Sequence, residues 1–220
     1  MVGALQYLTM TRPDIAYAVN MVSQFMHAPR TTHLHVVKKK FRYLQGTLDY
    51  GLYLYSSSSP TVVIAYSDAD WAGYPNTRRS TIGYAFFLGK NLISWRSKKQ
   101  PTVSKSSTEA EYRAIAYTTA ETIWLKQLLA DIGHFLRRPV IVYCDNVSAT
   151  YLTANPVHHD RSKHIDVDYH FVREMVAKGG LIVRHVPTRS QVADIFTKGL
   201  STDLFTKHRT NLSVVSPRKD

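Results

Sequence analysis

Four acidic residues fall on four different predicted elements of this 220-residue chain, and any fold it adopts has to account for all of them. Asp68 lies in the strand-like run 61–70, Glu111 opens a long helix that starts near Ser106, Asp145 ends the apolar strand 139–145, and Asp194 sits in the segment 190–198. Carboxylates brought together from distant parts of a chain repel one another and raise each other's pKa unless cations or protons neutralise them. Paired Mg²⁺ ions supply a reason for convergence, since they prefer hard carboxylate oxygens and can clamp both the attacking water and the leaving oxygen of an in-line displacement at phosphorus. The ordered set therefore points to metal-dependent phosphodiester hydrolysis, with two Mg²⁺ ions expected, Mn²⁺ an admissible substitute, and no small-molecule cofactor.

The bulk numbers fit a nucleic-acid enzyme. With 44% apolar and 20% charged residues the chain can bury one ordinary core and carry a small extra piece. A formal charge of +12 and a pI near 9.8 imply a polyanionic partner, because phosphate neutralisation dominates such affinities. The single cysteine, Cys144, cannot form an internal disulfide, which fits a reducing compartment and excludes cysteine-rich zinc modules. No apolar stretch approaches the roughly 18 residues of a membrane span. Arg12, Pro13 and Asp14 interrupt the N-terminus where a signal peptide needs its apolar region, so the expected location is intracellular, cytoplasmic or nuclear, away from any membrane.

Residues 1–55 read as a small helical arm, with apolar positions three and four apart through 14–25 and 33–44. The run Ser56–Pro60 reads as a linker, and a domain boundary is expected there. Beyond it come a strand (61–68), a polar loop (73–79) and two strands around Gly89-Lys90-Asn91, an antiparallel meander. A helix from about 108 to 132, closed by Gly133, leads to a buried strand (139–144), a helical region (160–177), a strand (181–186) and a short helix near Ser190. The tail 201–220 is polar and expected to be disordered. The fold class that follows is α/β, an α+β-like mixed sheet of three antiparallel and then parallel strands with helices on its faces, spanning 61–200.

Each acid also has a plain structural explanation. Thr108-x-x-Glu111 matches a capping box, in which the acid would only bond its own helix start. On a helical wheel Glu111 lies about 60° from the centre of the stripe Ala110, Ala114, Leu125, Leu128 and Ile132, while Glu109 lies about 140° away and is expected to face water. Glu121 shares the inner stripe but stands about 15 Å along the axis, too far to share a metal pair. Asp68 and Asp70 can point to one side of a strand, one as ligand and the other as turn former. Asp145-Asn146 is ordinary turn chemistry, although the carboxyl end of a strand is also where open sheets bind ligands. Asp194 in a first helical turn gains from the helix dipole with no metal at all.

His158, His159, His164 and His170 suggest zinc only weakly, having no cysteine partners at ligand spacing. His185, near a strand end, is a candidate for proton handling at the leaving group, with a solvent-facing strand histidine as the alternative. Lys98, Lys99, Arg161 and Lys163, with Arg78/Arg79 and Arg137/Arg138, are candidate grips on a duplex backbone.

Several long words in the sequence carry a family resemblance. They are ThrArgProAspIleAlaTyrAlaVal (11–19), PheArgTyrLeuGlnGlyThr (41–47), TyrSerAspAlaAspTrpAlaGly (66–73), SerSerThrGluAlaGluTyrArgAla (106–114), TyrCysAspAsn (143–146), ArgSerLysHisIleAspValAspTyrHisPheValArgGlu (161–174) and GlnValAlaAspIlePheThrLysGlyLeu (191–200). In their order the chain resembles the C-terminal part of the Pol polyprotein of copia-type LTR retrotransposons: the end of a reverse transcriptase followed by an RNase H domain. The resemblance implies an RNase H-like fold in 60–200, cleavage of the RNA strand of RNA–DNA hybrids, and the rest of the Pol polyprotein or its reverse transcriptase as a further partner. It also implies Asp68 and Asp145 as central metal ligands, with Glu111 and Asp194 completing the two sites. His185 falls one residue out of step with a mobile histidine of cellular RNase H enzymes. No TyrXaaAspAsp word is present and 55 residues cannot hold a polymerase palm, so no DNA synthesis is expected from this segment. The competing expectation is a catalytically idle, nucleic-acid-binding remnant of a truncated Pol. An integrase-like nuclease would place its glutamate last, whereas here it comes second.

Overall fold

The computed structural model describes residues 1–56, 62–74, 76–154 and 166–217. Its centre is a five-stranded mixed sheet whose strands lie in the order Asn91–Lys99, Thr81–Leu88, Val63–Asp70, Val140–Cys144 and Leu181–His185. Strands β2 (Val63–Asp70), β3 (Thr81–Leu88) and β4 (Asn91–Lys99) form the antiparallel meander, turning at Gly89, whose φ of 61° suits a residue without a Cβ. Strand β5 (Val140–Cys144) runs parallel to β2, and β6 (Leu181–His185) parallel to β5. This is the RNase H-like arrangement that the resemblance implies.

Both faces of the sheet are covered, which explains why β3 is buried along nearly its whole length. On one face lies α4 (Ser107–Asp131), whose Tyr112, Ile115, Leu125 and Leu129 pack with Val63, Ala65, Phe86, Val140 and Val142. Tyr169 and Val172 of α6 (Asp166–Ala177) join that core. Helix α4 stops at Gly133, where φ is +82° and His134 N–H bonds back to Leu129 O at 2.7 Å, a C-terminal closure that suits glycine. On the opposite face a short 3₁₀ helix, Val192–Phe196, packs Val192, Ile195 and Phe196 against Ala85, Phe87 and Leu92.

The tail corrects the expectation of disorder. Residues Thr202–Asn211 form α7, and Val214–Val215 form β7, which pairs antiparallel with β1 (Gly51–Leu52). Its polar composition hides two anchors, Leu212 and Val214, which are buried in the second core and contribute about 1.5–3 kcal/mol each. A helix α5 (Val147–Ala154), absent from the sequence reading, follows Asp145; Asn146 caps it by accepting from Ala149 N–H at 2.9 Å.

The arm contains α1 (Val2–Leu8), α2 (Ala16–Ser23) and α3 (Thr31–Gln45) around Leu5, Ile15, Val19, Val22 and Val37. Buried Arg12 binds Asp14 through Nε and Nη2 at 2.9 and 2.8 Å and donates to Thr47 O at 2.9 Å, tying the start of the arm to its end. The arm also reaches the sheet: Trp95 Nε1 donates to Thr9 O, Asn20 Nδ2 to Ser97 Oγ, and Lys99 Nζ to Gln24 Oε1. Residues 57–60 of the expected linker lie outside the described residues.

Candidate active site

The site is built on strand alternation. Val63, Ala65 and Ala69 of β2 pack toward α4, so Asp68 and Asp70 turn to the other face. Strands β2 and β5 are parallel with Tyr66 opposite Tyr143, and two residues further along each chain stand Asp68 and Asp145. Neighbouring parallel strands thus deliver two carboxylates at the carboxyl edge of the sheet.

The third acid arrives from the 3₁₀ helix. Gln191, fully buried, donates from Nε2 to Ser67 O at 2.9 Å and accepts from Ala193 N–H at 3.2 Å, pinning this segment to β2. Thr197 Oγ1 donates to Asp68 Oδ2. One carboxylate oxygen each from Asp68, Asp145 and Asp194 then lie within 4.8 Å of one another.

Glu111 completes the cluster from α4, and the helix start explains how it is free to do so. Ser106 is the N-cap and accepts from Glu109 N–H at 3.1 Å, while Glu109 Oε2 accepts from Lys105 N–H at 2.9 Å and Oε1 pairs with Arg113 at 2.9 Å. The capping acid is therefore Glu109, not Glu111, and Glu109 is buried rather than facing water. The expected inner stripe was slightly misplaced: Leu128 and Ile132 are exposed, and Leu129 points inward. Glu111 accepts from Cys144 Sγ at 3.7 Å and feels the Ala69 backbone and the Asp68 carboxyl beside it. It forms a second convergent group with Cys144 and Asp145.

Burial, and then mutual repulsion, set the electrostatics. Glu111 is pushed well above the usual carboxylate range by burial and by the charges of Asp68 and Asp145. Burial also raises Asp68, opposed by Lys198 and Thr197. Asp194 is pushed up to about 7 by burial and by Asp68, again opposed by Lys198. Burial disfavours the Lys198 ammonium, yet Asp68 and Asp194 outweigh it and hold the proton on. Its Nζ lies 2.9 Å from Asp194 Oδ1 and 3.8 Å from Asp68 Oδ2.

The donor set fits a hard divalent cation. Carboxylate oxygens converge, and the one soft donor, Cys144, has its thiol pKa raised by burial, which opposes the thiolate a metal would need. Among the described residues no convergent group includes a histidine. Asp70 carries its carboxylate over the Gly73 turn, where a Cβ would meet it at 1.7 Å.

His185 is exposed at the end of β6, paired with Cys144 and so one strand away from the acids. Lys98 and Lys99 end β4 on the far side of the meander, with Lys98 over the Tyr117 ring and Lys99 over the Tyr74 ring. Arg161, Lys163, His158, His159 and His164 lie outside the described residues. Sequence reading missed Gly83, Gln191, Thr197 and Lys198; the only available signal was the four-residue spacing from Asp194 to Lys198.

No protein-family model matches the sequence. The chain is 52% identical over 213 residues to the retrovirus-related Pol polyprotein from transposon RE1 of Arabidopsis thaliana, which covers 97% of this chain and 14% of that protein. It thus spans a small part of the length of the curated relatives it matches. Among solved structures it is similar to a foamy viral protease-reverse transcriptase dRH in complex with ds DNA, with a TM-score of 0.51, 13% identity, and coverage of 85% of this chain and 31% of that one. It is also similar to LC11-RNase H1 isolated from compost, with a TM-score of 0.48, 18% identity, and coverage of 67% of this chain and 97% of that one. No helix among the described residues is long and apolar enough to cross a membrane.

Proposed function

The chain belongs to the retrovirus-related Pol polyproteins of copia-type retrotransposons, and on that premise we propose that it is a metal-dependent endoribonuclease cutting the RNA strand of RNA–DNA hybrids. The observation that carries this reading is the meeting of Asp68, Asp145 and Asp194 within 4.8 Å, with Glu111 against Asp68 from the far side. Four buried or half-buried acids on four elements are costly for stability, so a fold that collects them needs a cationic purpose.

Asp68, Asp145 and Asp194 would hold one Mg²⁺, and Glu111 with Asp145 and Asp68 a second. Bound there, the ions would supply an activated water and a stabilised leaving 3′-oxygen, giving 5′-phosphate and 3′-hydroxyl ends. The chain's own work is positioning. Thr197 fixes the Asp68 rotamer, and Gln191 fixes the segment that carries Asp194. Strand choice would come from 2′-hydroxyl contacts across the minor groove, because RNA is read largely by shape and sugar. Exposed Lys98 and half-buried Lys99, together with Arg161 and Lys163, are proposed to contact the backbone.

The deciding experiment offers labelled RNA–DNA hybrid, single-stranded RNA, single-stranded DNA and double-stranded DNA to the purified chain, with Mg²⁺, with Mn²⁺ and with chelator. Cleavage confined to the RNA of the hybrid, and lost with chelator, is the expected result. Hybrid binding without cleavage in either metal would favour an idle remnant instead.

A further inference from the structure

Lys198 draws on the same oxygens that a metal would use. Its ammonium is 2.9 Å from Asp194 Oδ1 and 3.8 Å from Asp68 Oδ2, and both carboxylates belong to the group that converges with Asp145. The pairing is one-sided: among the described residues Lys198 forms ion pairs with Asp68 and Asp194 and none with Glu111 or Asp145. Its side chain is 36% exposed, unlike the two acids at 1–2%, so the charged head sits at the solvent rim of the cluster. A lysine is a compact point charge on a flexible four-carbon stem, able to swing into water without disturbing its backbone.

We infer that Lys198 is a resident cation guarding one of two metal seats: the seat bounded by Asp68, Asp145 and Asp194 fills only when the ammonium leaves Asp194, while among the described residues Lys198 forms no ion pair with Glu111 or Asp145, the acids of the second seat. Metal uptake is therefore ordered, with one ion held more tightly than the other. A phosphodiester entering the cluster offers the displaced ammonium a new anionic partner, which couples loading of the guarded seat to arrival of substrate. That last coupling rests on the nuclease reading; the ordered uptake does not.

The measurement is Mn²⁺ binding to the full chain without nucleic acid, followed by the electron paramagnetic resonance of free Mn²⁺. Wild type is expected to bind one ion, with the second weaker by at least about tenfold. Lys198→Met removes the charge and keeps most of the stem, and should tighten the second ion by a similar factor while leaving the first unchanged. Lys198→Arg should behave as wild type does. Lys198→Gln provides a second neutral variant, and thermal unfolding shows which variants keep the fold. Two equal sites in wild type, or neutral folded variants with unaltered second-site affinity, would overturn the inference. Ordered Mn²⁺ uptake in a chain that cleaves no hybrid would uphold it while removing the nuclease reading, and hybrid cleavage with two equal sites would do the reverse.

Discussion

Gly83 stands opposite Asp68 on the β2–β3 ladder and has no room for a side chain. A Cβ at that position would lie 2.6 Å from Thr197 Cγ2, 2.8 Å from Phe196 Cβ and 3.0 Å from Ala193 O. The 3₁₀ helix that brings Asp194 to the cluster can press on the sheet only because β3 presents a bare backbone there.

Gly83→Ala should therefore act on both fold and site. Overpacking of this kind costs about 1–3 kcal/mol, and relief requires the 192–197 segment to lift from β2. The expected result is a lower thermal midpoint together with weaker Mg²⁺ binding. An alanine variant with wild-type metal affinity would show that Asp194 does not depend on this close approach.

A second expectation concerns Asp145, the one residue common to both convergent groups. Asp145→Asn keeps the volume and removes the charge that each proposed metal seat would use. Losing several kcal/mol of metal-borne transition-state stabilisation corresponds to about 10³-fold or more in cleavage rate. Hybrid affinity should stay within about threefold, since backbone grip comes from basic residues elsewhere. Retained Mg²⁺-dependent turnover would remove Asp145 from the centre.

Metal binding and stability should respond oppositely to pH. Burial and Asp68 raise the Asp194 carboxyl to about 7, and Asp68 and Glu111 shift in the same direction. Between about pH 4 and 7 the native chain then holds more protons than the unfolded one, so metal-free stability falls as pH rises through that window. A divalent ion competes with those protons, and its affinity should rise over the same range. Thermal midpoints at pH 5 and pH 8, with and without Mg²⁺, test this: the stabilisation by Mg²⁺ should be larger at pH 8, and Asp194→Asn should shrink the difference. Equal Mg²⁺ stabilisation at both values would contradict the proton linkage.

Much of this architecture was legible because the meander, the long helix and the two apolar strands each carry their own periodicity or punctuation, Gly89 and Gly133 among them. The misreadings share a cause. Glu109 and Glu111 compete for one cap, and only the position of Ser106, the N-cap three residues before Glu109, decides between them. The tail looks polar because Leu212 and Val214 are few; what holds them is a long-range core containing Ala85 and Leu92. Lys198 is invisible as a site residue until β2 brings Asp68 beside Asp194, a contact across more than a hundred positions. Local pattern shows elements, and long-range packing decides which polar side chains meet.

The arm is held to the rest of the chain by hydrogen bonds to β4, by Ala16 in the second core and by the β1–β7 pair with the tail, and its buried Arg12–Asp14 pair belongs to the arm itself. A boundary at 56–60 therefore predicts nicking without separation. Limited proteolysis should cut near the linker while the two fragments co-elute under native conditions. First cleavage inside 62–145, or fragments that part at once, would reject that organisation.

The last expectation separates two neighbouring lysines. Lys98 is exposed with its ammonium over the Tyr117 ring at 5.8 Å, whereas Lys99 donates to Gln24 Oε1 at 3.1 Å and lies over Tyr74 at 5.0 Å. Each phosphate neutralised by a cation releases counterions and adds about −0.9 to the log–log salt slope on duplex DNA. Lys98→Ala with Lys99→Ala should flatten the hybrid-binding slope by about one to two units. Because Lys99 is engaged with the arm, Lys98→Ala alone should account for most of that change, and Lys99→Ala should act more on stability than on slope. Titrations across salt concentrations decide the matter. An unchanged slope in the double variant would exclude this end of β4 from the interface and leave Arg78/Arg79 and Arg137/Arg138 as described basic pairs to test next.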